Sequence, residues 1–322
     1  IGGNVATNAG GVKVVRYGLT RDWITGLKVV TGCGDTLHLN KSLKKNATGY
    51  DLRHLFVGSE GTLGLFTEIE VQLTKTPPAT KVLVLGMEKL EHSLNLLTAF
   101  KSAFTLSACE FFSQQALDIV LSQHELSKPF ETESPFYLLL ELEEHPGDFE
   151  SQLEATFSDC FEKGWIVDGV ISQNSQQAQN FWNLREFISE SISPQSPYKN
   201  DVSVRVSKVP RFVEQTQALI SKNYPDFQVI WFGHIGDGNV HINILKPKDM
   251  DKEEFIKLCQ QSDPLLYQLI SDFDGSISAE HGVGLIKKEY LHYTKSKAEI
   301  EYMRQIKKVF DPDHILNPGK IF

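Results

Sequence analysis

Residues Gly233–Ile244 read GHIGDGNVHINI, and no other stretch limits the fold as much. An apolar run, VIWF, precedes it and another, VHINI, closes it, with Gly236, Asp237, Gly238 and Asn239 between them. Glycine and short polar residues tolerate positive φ, so the pattern predicts two antiparallel strands joined by a tight loop. His234 and His241 then fall on opposite arms, where their rings can face each other across the loop. Neutral imidazole is a common ligand of divalent transition metals, which makes the pair a candidate metal site. A second loop, Ser278–Gly284 (SAEHGVG), offers Glu280 and His281 between small residues. The competing reading is that His234 and His241 are ordinary strand histidines. The glycine-framed loop and the second His-bearing loop favour a metal-dependent active site.

With 322 residues the chain is long enough for two domains with sizeable cores. A formal net charge of −9 argues against a nucleic-acid surface, so the few basic residues inside pockets matter more than the balance. No apolar run approaches the roughly 20 residues that span a bilayer. Cys33, Cys109, Cys160 and Cys259 are scattered without a CxxC pair, which fits a reducing compartment and suggests neither a disulfide framework nor a thiolate zinc site. The chain opens on IGGNVATNAGG without a methionine, and it reads as a fragment that begins inside a domain, with no targeting segment to judge.

Residues 1–75 have a β-rich, loop-heavy texture. Gly2–Gly11 reads as a flexible loop, too small for core, with its backbone laid against a flat ligand. Strands ITGLKVVTG and DTLHL follow, then a second Gly-rich loop, Gly58–Gly64, leading into FTEIEVQL. Each loop taken alone also reads as plain turns. Thr76-Pro77-Pro78 is a boundary, because two prolines cannot continue a ladder. Beyond it, strands and helices alternate: strands at KVLVLGM, ACEFF, PFYLLLELEE and GVIS, and helices at 90–103, 113–126, 149–163 and 175–192. A strand at 202–206, a helix at 208–223, the hairpin, and helices at 251–272 and 295–310 complete the series. Helices segregated to one face of such a sheet make an α+β fold, with two ferredoxin-like halves. Arg185 lies in the 175–192 helix, and Tyr198-Lys199-Asn200-Asp201 forms a loop before the next strand. Arg185 and Lys199 are candidates to meet an acidic substrate, the arginine by a planar fork and the lysine as a point charge; the alternative is solvated or paired surface cations. Asn317-Pro318-Gly319-Lys320 reads as a turn-rich tail, disordered or tied onto a site.

The motifs IGGNVATNAGG, NATGYDL, GSEGTLG, ESPFYLLLE, LREFI, YKND, GHIGDGNVHIN, SAEHGVG and ILNPGK run along essentially the whole chain. With them the sequence resembles the D-2-hydroxyglutarate dehydrogenase branch of flavoproteins with a vanillyl-alcohol-oxidase-type (PCMH-type) FAD domain. D-lactate and glycolate dehydrogenases are near relatives. The resemblance implies an α+β fold: residues 1–77 as the C-terminal half of the FAD-binding domain, 78–300 as a ferredoxin-like substrate and metal-binding cap, and 301–322 as a helix and tail returning to the flavin. It implies His234, His241 and Glu280 as ligands of a divalent metal, zinc first, and His281 as the catalytic residue that contacts substrate and takes the hydroxyl proton. Arg185, Lys199 and Asn243 match positions that hold substrate carboxylates, and Ser189 stands where close relatives carry a hydroxyl. Gly3, Asn4, Ala6, Thr7, Asn8, Gly10, Gly58, Glu60, Gly61 and Asn317 match the FAD-binding positions.

The implied reaction is FAD-dependent oxidation of a D-2-hydroxy acid, D-2-hydroxyglutarate to 2-oxoglutarate before D-lactate or glycolate. Electron-transfer flavoprotein or a quinone is the implied acceptor, a homodimer the implied assembly, and the cytoplasm (bacterial) or mitochondrial matrix (eukaryotic) the implied location. The family's pyrophosphate loop belongs to a first half of the FAD domain that this sequence does not contain, so the fragment is expected to hold FAD poorly. Two readings from other classes stand beside this one. A metal-dependent hydrolase would use the same His/His/Glu set on water but has no use for the N-terminal glycine loops, and an inactive binding fragment would need none of the chemistry.

Overall fold

Two separate sheets lie on either side of Thr76-Pro77-Pro78 in a computed structural model that describes residues 1–322. The chain divides into unit 1, residues 1–11, 18–76 and 276–322, and unit 2, residues 12–17 and 77–275. The first thus takes in the whole stretch from Ser276, including residues 276–300.

Unit 1 holds a three-stranded antiparallel sheet in the order β2-β1-β3, made of β1 (Ile24–Thr31), β2 (Thr36–Leu39) and β3 (Gly64–Val71). Helices α1 (Gly2–Thr7), α3 (Thr20–Trp23), α4 (Arg53–Phe56) and α12 (Lys297–Phe310) complete it. Its core gathers Val5, Ile24, Leu27, Val29, Phe56, Val57 and Leu63, with Ile306 and Phe310 of α12 packed against them. The first ten residues therefore differ from the flexible loop expected on the sequence. Glycine costs a helix about 1 kcal/mol per residue relative to alanine, but burial of Val5 outweighs that local preference. Asn8 ends the helix in the left-handed conformation at φ 51°.

Unit 2 is built on a seven-stranded, wholly antiparallel sheet ordered β7-β4-β6-β5-β9-β10-β8. The strands are β4 (Thr80–Met87), β5 (Leu106–Ser113), β6 (Phe136–Glu143), β7 (Asp168–Ile171), β8 (Tyr198–Ser203), β9 (Val229–His234) and β10 (Asn239–Ile244). Its helices are α2 (Val14–Tyr17), α5 (His92–Ala103), α6 (Gln114–Gln123), α7 (Phe149–Glu162), α8 (Ser175–Glu186), α9 (Ile188–Ile192), α10 (Val209–Asn223) and α11 (Lys252–Asp272). Strands β4–β7 lie in the order fourth, first, third, second, the order of a ferredoxin-like βαββαβ unit, and β8–β10 repeat its first three strands. The β5–β9 pairing joins the two halves.

Helices cover both faces of this sheet, not one. All eight residues of β5 and the last seven of β6 are buried, so neither face is left for water. On one face Val82, Val84, Phe112, Leu139 and Phe232 form a cluster with residues of α6, α8 and α9. On the other, Gly169 and Leu85 lie under Phe157 of α7, and the Trp231 indole N–H donates to Gln217 of α10 at 2.7 Å. Two further elements depart from the sequence reading. The 175–192 helix breaks at Phe187 into α8 and α9. The strand expected at 202–206 instead spans Tyr198–Ser203, because each of the six β10 residues pairs across to it, from Ile244–Tyr198 to Asn239–Ser203. No helix is long and apolar enough to cross a membrane.

Candidate active site

The sheet face beneath α6, α8 and α9 carries the polar side chains. Side chains alternate along a strand, and the register therefore fixes which ones share this face. His241 pairs with Phe232 and Asp201, Asn243 with Ile230 and Lys199, and Asn239 with His234. The hairpin loop is closed by the Asp237 and Gly238 amides, which donate to the His234 carbonyl at 3.2 and 3.0 Å. The Asp237 carboxylate accepts from the Asn239 amide at 3.0 Å. Gly238, at φ 89°, has no room for a side chain, since a Cβ there would run into the Val204 carbonyl. The His234 and His241 rings meet edge to face, their centroids 5.3 Å apart.

A carboxylate stands behind each ring. Glu110, in the middle of β5, lies 2.8 and 2.6 Å from His234 Nδ1 through its two oxygens. Asp201 lies 3.6 Å from His241 Nδ1 and accepts from the Asn239 amide group at 2.8 Å. Glu110 on His234 Nδ1 selects the tautomer with the proton there and the lone pair on Nε2, whereas Asp201 places a negative charge near His241 without a hydrogen bond at 3.6 Å. Two imidazoles so arranged have the donor chemistry of a divalent metal site. Glu110 also accepts from Arg185 Nη2 at 2.8 Å, and the guanidinium sits 4.6 Å from the Phe232 ring centroid. Arg185 is buried, not solvated, and its Nε is enclosed without a hydrogen-bond partner. Burial, with the Glu110 charge beside it, pushes the Cys109 thiol well up, so that cysteine stays protonated. Asn243 is buried, donating to the Ile230 carbonyl at 3.4 Å. Lys199 shares the face but is exposed, and Ser189, one turn beyond Arg185, is exposed as well.

Unit 1 has a polar cluster of its own, around Glu60. The Glu60 amide donates to the Ala6 carbonyl at 2.7 Å, and the Gly58 amide to Val5 at 2.9 Å, which ties the second glycine loop to α1. The Glu60 carboxylate accepts from the amides of Val283 and Gly284 at 2.7 and 2.8 Å, and its carbonyl from the Asn317 side chain at 2.5 Å. The tail is thus tied down at Glu60. A Cβ on Gly282 would come 2.7 Å from the Glu60 carboxylate, so the loop bearing Glu280 and His281 is shaped by that close approach. Asn8 accepts from the Arg21 amide at 2.9 Å. Above Gly2 and Gly3 lies open space, and Ser59 Oγ is buried without a partner. Among the expected FAD positions, Gly3, Asn4, Thr7, Gly58 and Asn317 are exposed, whereas Ala6, Asn8, Gly10, Glu60 and Gly61 are half-buried. The open backbone surface at Gly2 and Gly3 leaves room for a flat cofactor.

Glu110 is the residue the sequence reading passes over. Its signal is an acid inside the apolar strand LSACEFFS, a position where a carboxylate is rarely left without a partner.

The profile described as FAD linked oxidases, C-terminal domain, matches residues 76–321, and that of an FAD binding domain matches residues 1–40. The chain belongs to the FAD-linked oxidase family. Among curated proteins it is similar to D-2-hydroxyglutarate dehydrogenase of Stutzerimonas stutzeri, 54% identical over 322 residues, all of this chain and 69% of that protein. The namesake from Xanthomonas citri pv. viticola is 51% identical, again over all of this chain and 68% of its own length. A probable mitochondrial D-2-hydroxyglutarate dehydrogenase of Oryza sativa subsp. japonica is 40% identical, with 57% of its length matched. Among solved structures, an alkyldihydroxyacetonephosphate synthase aligns with a TM-score of 0.64 at 16% identity, over 98% of this chain and 58% of that one. A p-cresol methylhydroxylase aligns at 0.62 and 14% identity, over 93% and 65%, and these two likenesses concern the fold alone.

Proposed function

We propose that the chain serves FAD-dependent oxidation of a D-2-hydroxy acid, with D-2-hydroxyglutarate as substrate and 2-oxoglutarate as product. The observation that carries the reading is identity above 50% along the whole chain to two enzymes of that name. FAD, held by the loops at 2–10 and 58–61 and by Asn317, supplies the hydride acceptor. A divalent metal, zinc first, ligated by His234, His241 and Glu280, supplies charge that acidifies the substrate hydroxyl. The paired imidazoles, one with Glu110 hydrogen-bonded at Nδ1 and the other with Asp201 nearby, support that ligand set. His281 accepts the hydroxyl proton. Arg185, held beside His234 by Glu110, supplies positive charge to one carboxylate of the substrate, and Lys199 and Asn243 attract the other. Ser189 lines the same region. Electrons leave to an electron-transfer flavoprotein or a quinone, the assembly is a homodimer, and the bacterial relatives favour a cytoplasmic setting.

Two cationic side chains exceed what a monocarboxylate requires, so the enzyme is expected to prefer the dicarboxylate. Steady-state kinetics with D-2-hydroxyglutarate and D-lactate on the flavin-loaded protein test this. Equal kcat/KM for the two acids would reject the assignment in favour of a D-lactate-type enzyme.

A further inference from the structure

The acid in β5 is conspicuous on energetic grounds. Enclosing an ionised carboxylate costs several kcal/mol unless cations and donors answer it. Four carboxylates on this sheet face are buried: Asp201 lies beside His241 and the Asn239 side chain, and two others are answered by the strap around α2. Glu141 takes the Lys13 ammonium and, at 2.7 Å, the Trp182 indole N–H, and Glu143 takes Arg16 at 2.7 Å. Glu110, only 1% exposed, has neither partner. It bonds instead to His234 and Arg185, both residues the proposed reaction uses.

We propose that Glu110 is a positioning residue that couples the two halves of the site, an inference that rests on the metal reading above. By accepting the Nδ1 proton with both oxygens, it fixes the ring orientation of His234 and leaves Nε2 as the basic nitrogen for the metal. Carboxylates so placed raise ligand basicity, and their removal typically weakens metal binding 10–100-fold. The same carboxylate holds Arg185 Nη2, which keeps the guanidinium against Phe232 with Nε unspent. One buried acid therefore sets both the metal ligand and the carboxylate-binding fork, and it does so without touching substrate. A purely structural ion pair would need Arg185 alone.

Co²⁺ is the probe, because its visible absorption reports ligand geometry and occupancy. In the full chain, Glu110→Gln is expected to weaken Co²⁺ binding roughly 10–100-fold and to alter the absorption envelope. The double variant Glu110→Gln/Arg185→Met leaves no buried charge unpaired, and it should show the same loss of affinity. Wild-type affinity in either variant, once folded, overturns the inference, since a merely structural pair predicts that result. Should neither variant fold, ¹⁵N-histidine spectra of the metal-free wild type decide. The Nδ1–H tautomer at His234 is expected, and the Nε2–H tautomer overturns the proposal. A wild type that takes up no Co²⁺ overturns the metal reading itself, an outcome distinct from equal uptake by wild type and variant.

Discussion

Arg185 and His281 differ most in what their replacement is expected to do. Arg185→Ala strands Glu110 as an uncompensated buried charge, for which about 3–5 kcal/mol of stability is expected to be lost. Chemical denaturation against wild type measures it, and a loss under 1 kcal/mol would mean that water reaches Glu110. His281 presents the opposite case, since its side chain is exposed and supports no core. His281→Ala should lower turnover by roughly 10²- to 10⁴-fold while metal content and stability hold. Loss of metal together with turnover would make His281 a support for Glu280 instead of the base. The histidine pair was legible in sequence because glycines mark the turn between its members and a four-residue loop fixes its spacing. Glu110 was not. It lies 124 residues from His234, and only the β5–β9 pairing brings the two together. The same pairing logic moved Lys199 and Asn200 from an expected loop into β8, where the ladder with β10 claims their backbone.

At the level of elements, the end of α12 is held by one buried ion pair. Lys307 Nζ donates to Asp311 at 2.6 Å, to the Thr62 carbonyl at 2.8 Å and to the Leu316 carbonyl at 3.1 Å. Asp311 also accepts from the amides of Ile315 and Leu316, both at 3.0 Å, and Gly32 admits it by lacking a Cβ. Burial alone would raise the Asp311 pKa, but the Lys307 ammonium and the two amides outweigh it and hold the carboxyl below the usual range. A depressed native pKa means that the stabilisation is complete above the ordinary carboxylate range. It disappears as pH falls through the lower native value. Residues 311–322 should therefore lose protection on acidification, as read by hydrogen exchange. Asp311→Asn should abolish that pH dependence and cost about 3–5 kcal/mol, because Lys307 is left buried and unpaired. Unchanged exchange in the tail of the variant would locate its anchorage at the Asn317–Glu60 bond instead. The sequence exposed the turn chemistry of this tail but not its attachment, which depends on partners some 250 positions earlier. Helix α1 escaped notice for a related reason: two glycines read as loop, and only the core around Phe56 makes Val5 a helix anchor.

For the whole molecule, the strand–helix alternation after Pro78 disclosed an α+β sheet with ferredoxin-like halves, because periodicity of 2 and of 3.6 residues is a local property. That both faces of the sheet are covered was less visible, since continuous apolar runs such as VLVL do not say what covers either face. Each unit has its own hydrophobic core, Leu139 and Phe232 at the centre of one, Val29 and Phe56 at the centre of the other. Unfolding is therefore expected in two steps, so a single melting temperature will not describe the chain. The proposed cofactors then act on different steps. FAD is assigned to residues of unit 1, whereas the two histidines proposed to bind metal and Glu110 lie on the sheet of unit 2. A ligand at about 100 times its dissociation constant adds roughly 2.7 kcal/mol to the unit that binds it, some 5–10 °C for the larger unit 2 and more for the smaller unit 1. Calorimetry with region-resolved hydrogen exchange should show FAD raising the transition reported by β1 and β3. Zn²⁺ should raise at least the one reported by β9 and β10, and a chelator should reverse only the zinc effect. If zinc left the β9–β10 amides unmoved while protecting other segments, the hairpin would not be the metal site, whatever the substrate turned out to be.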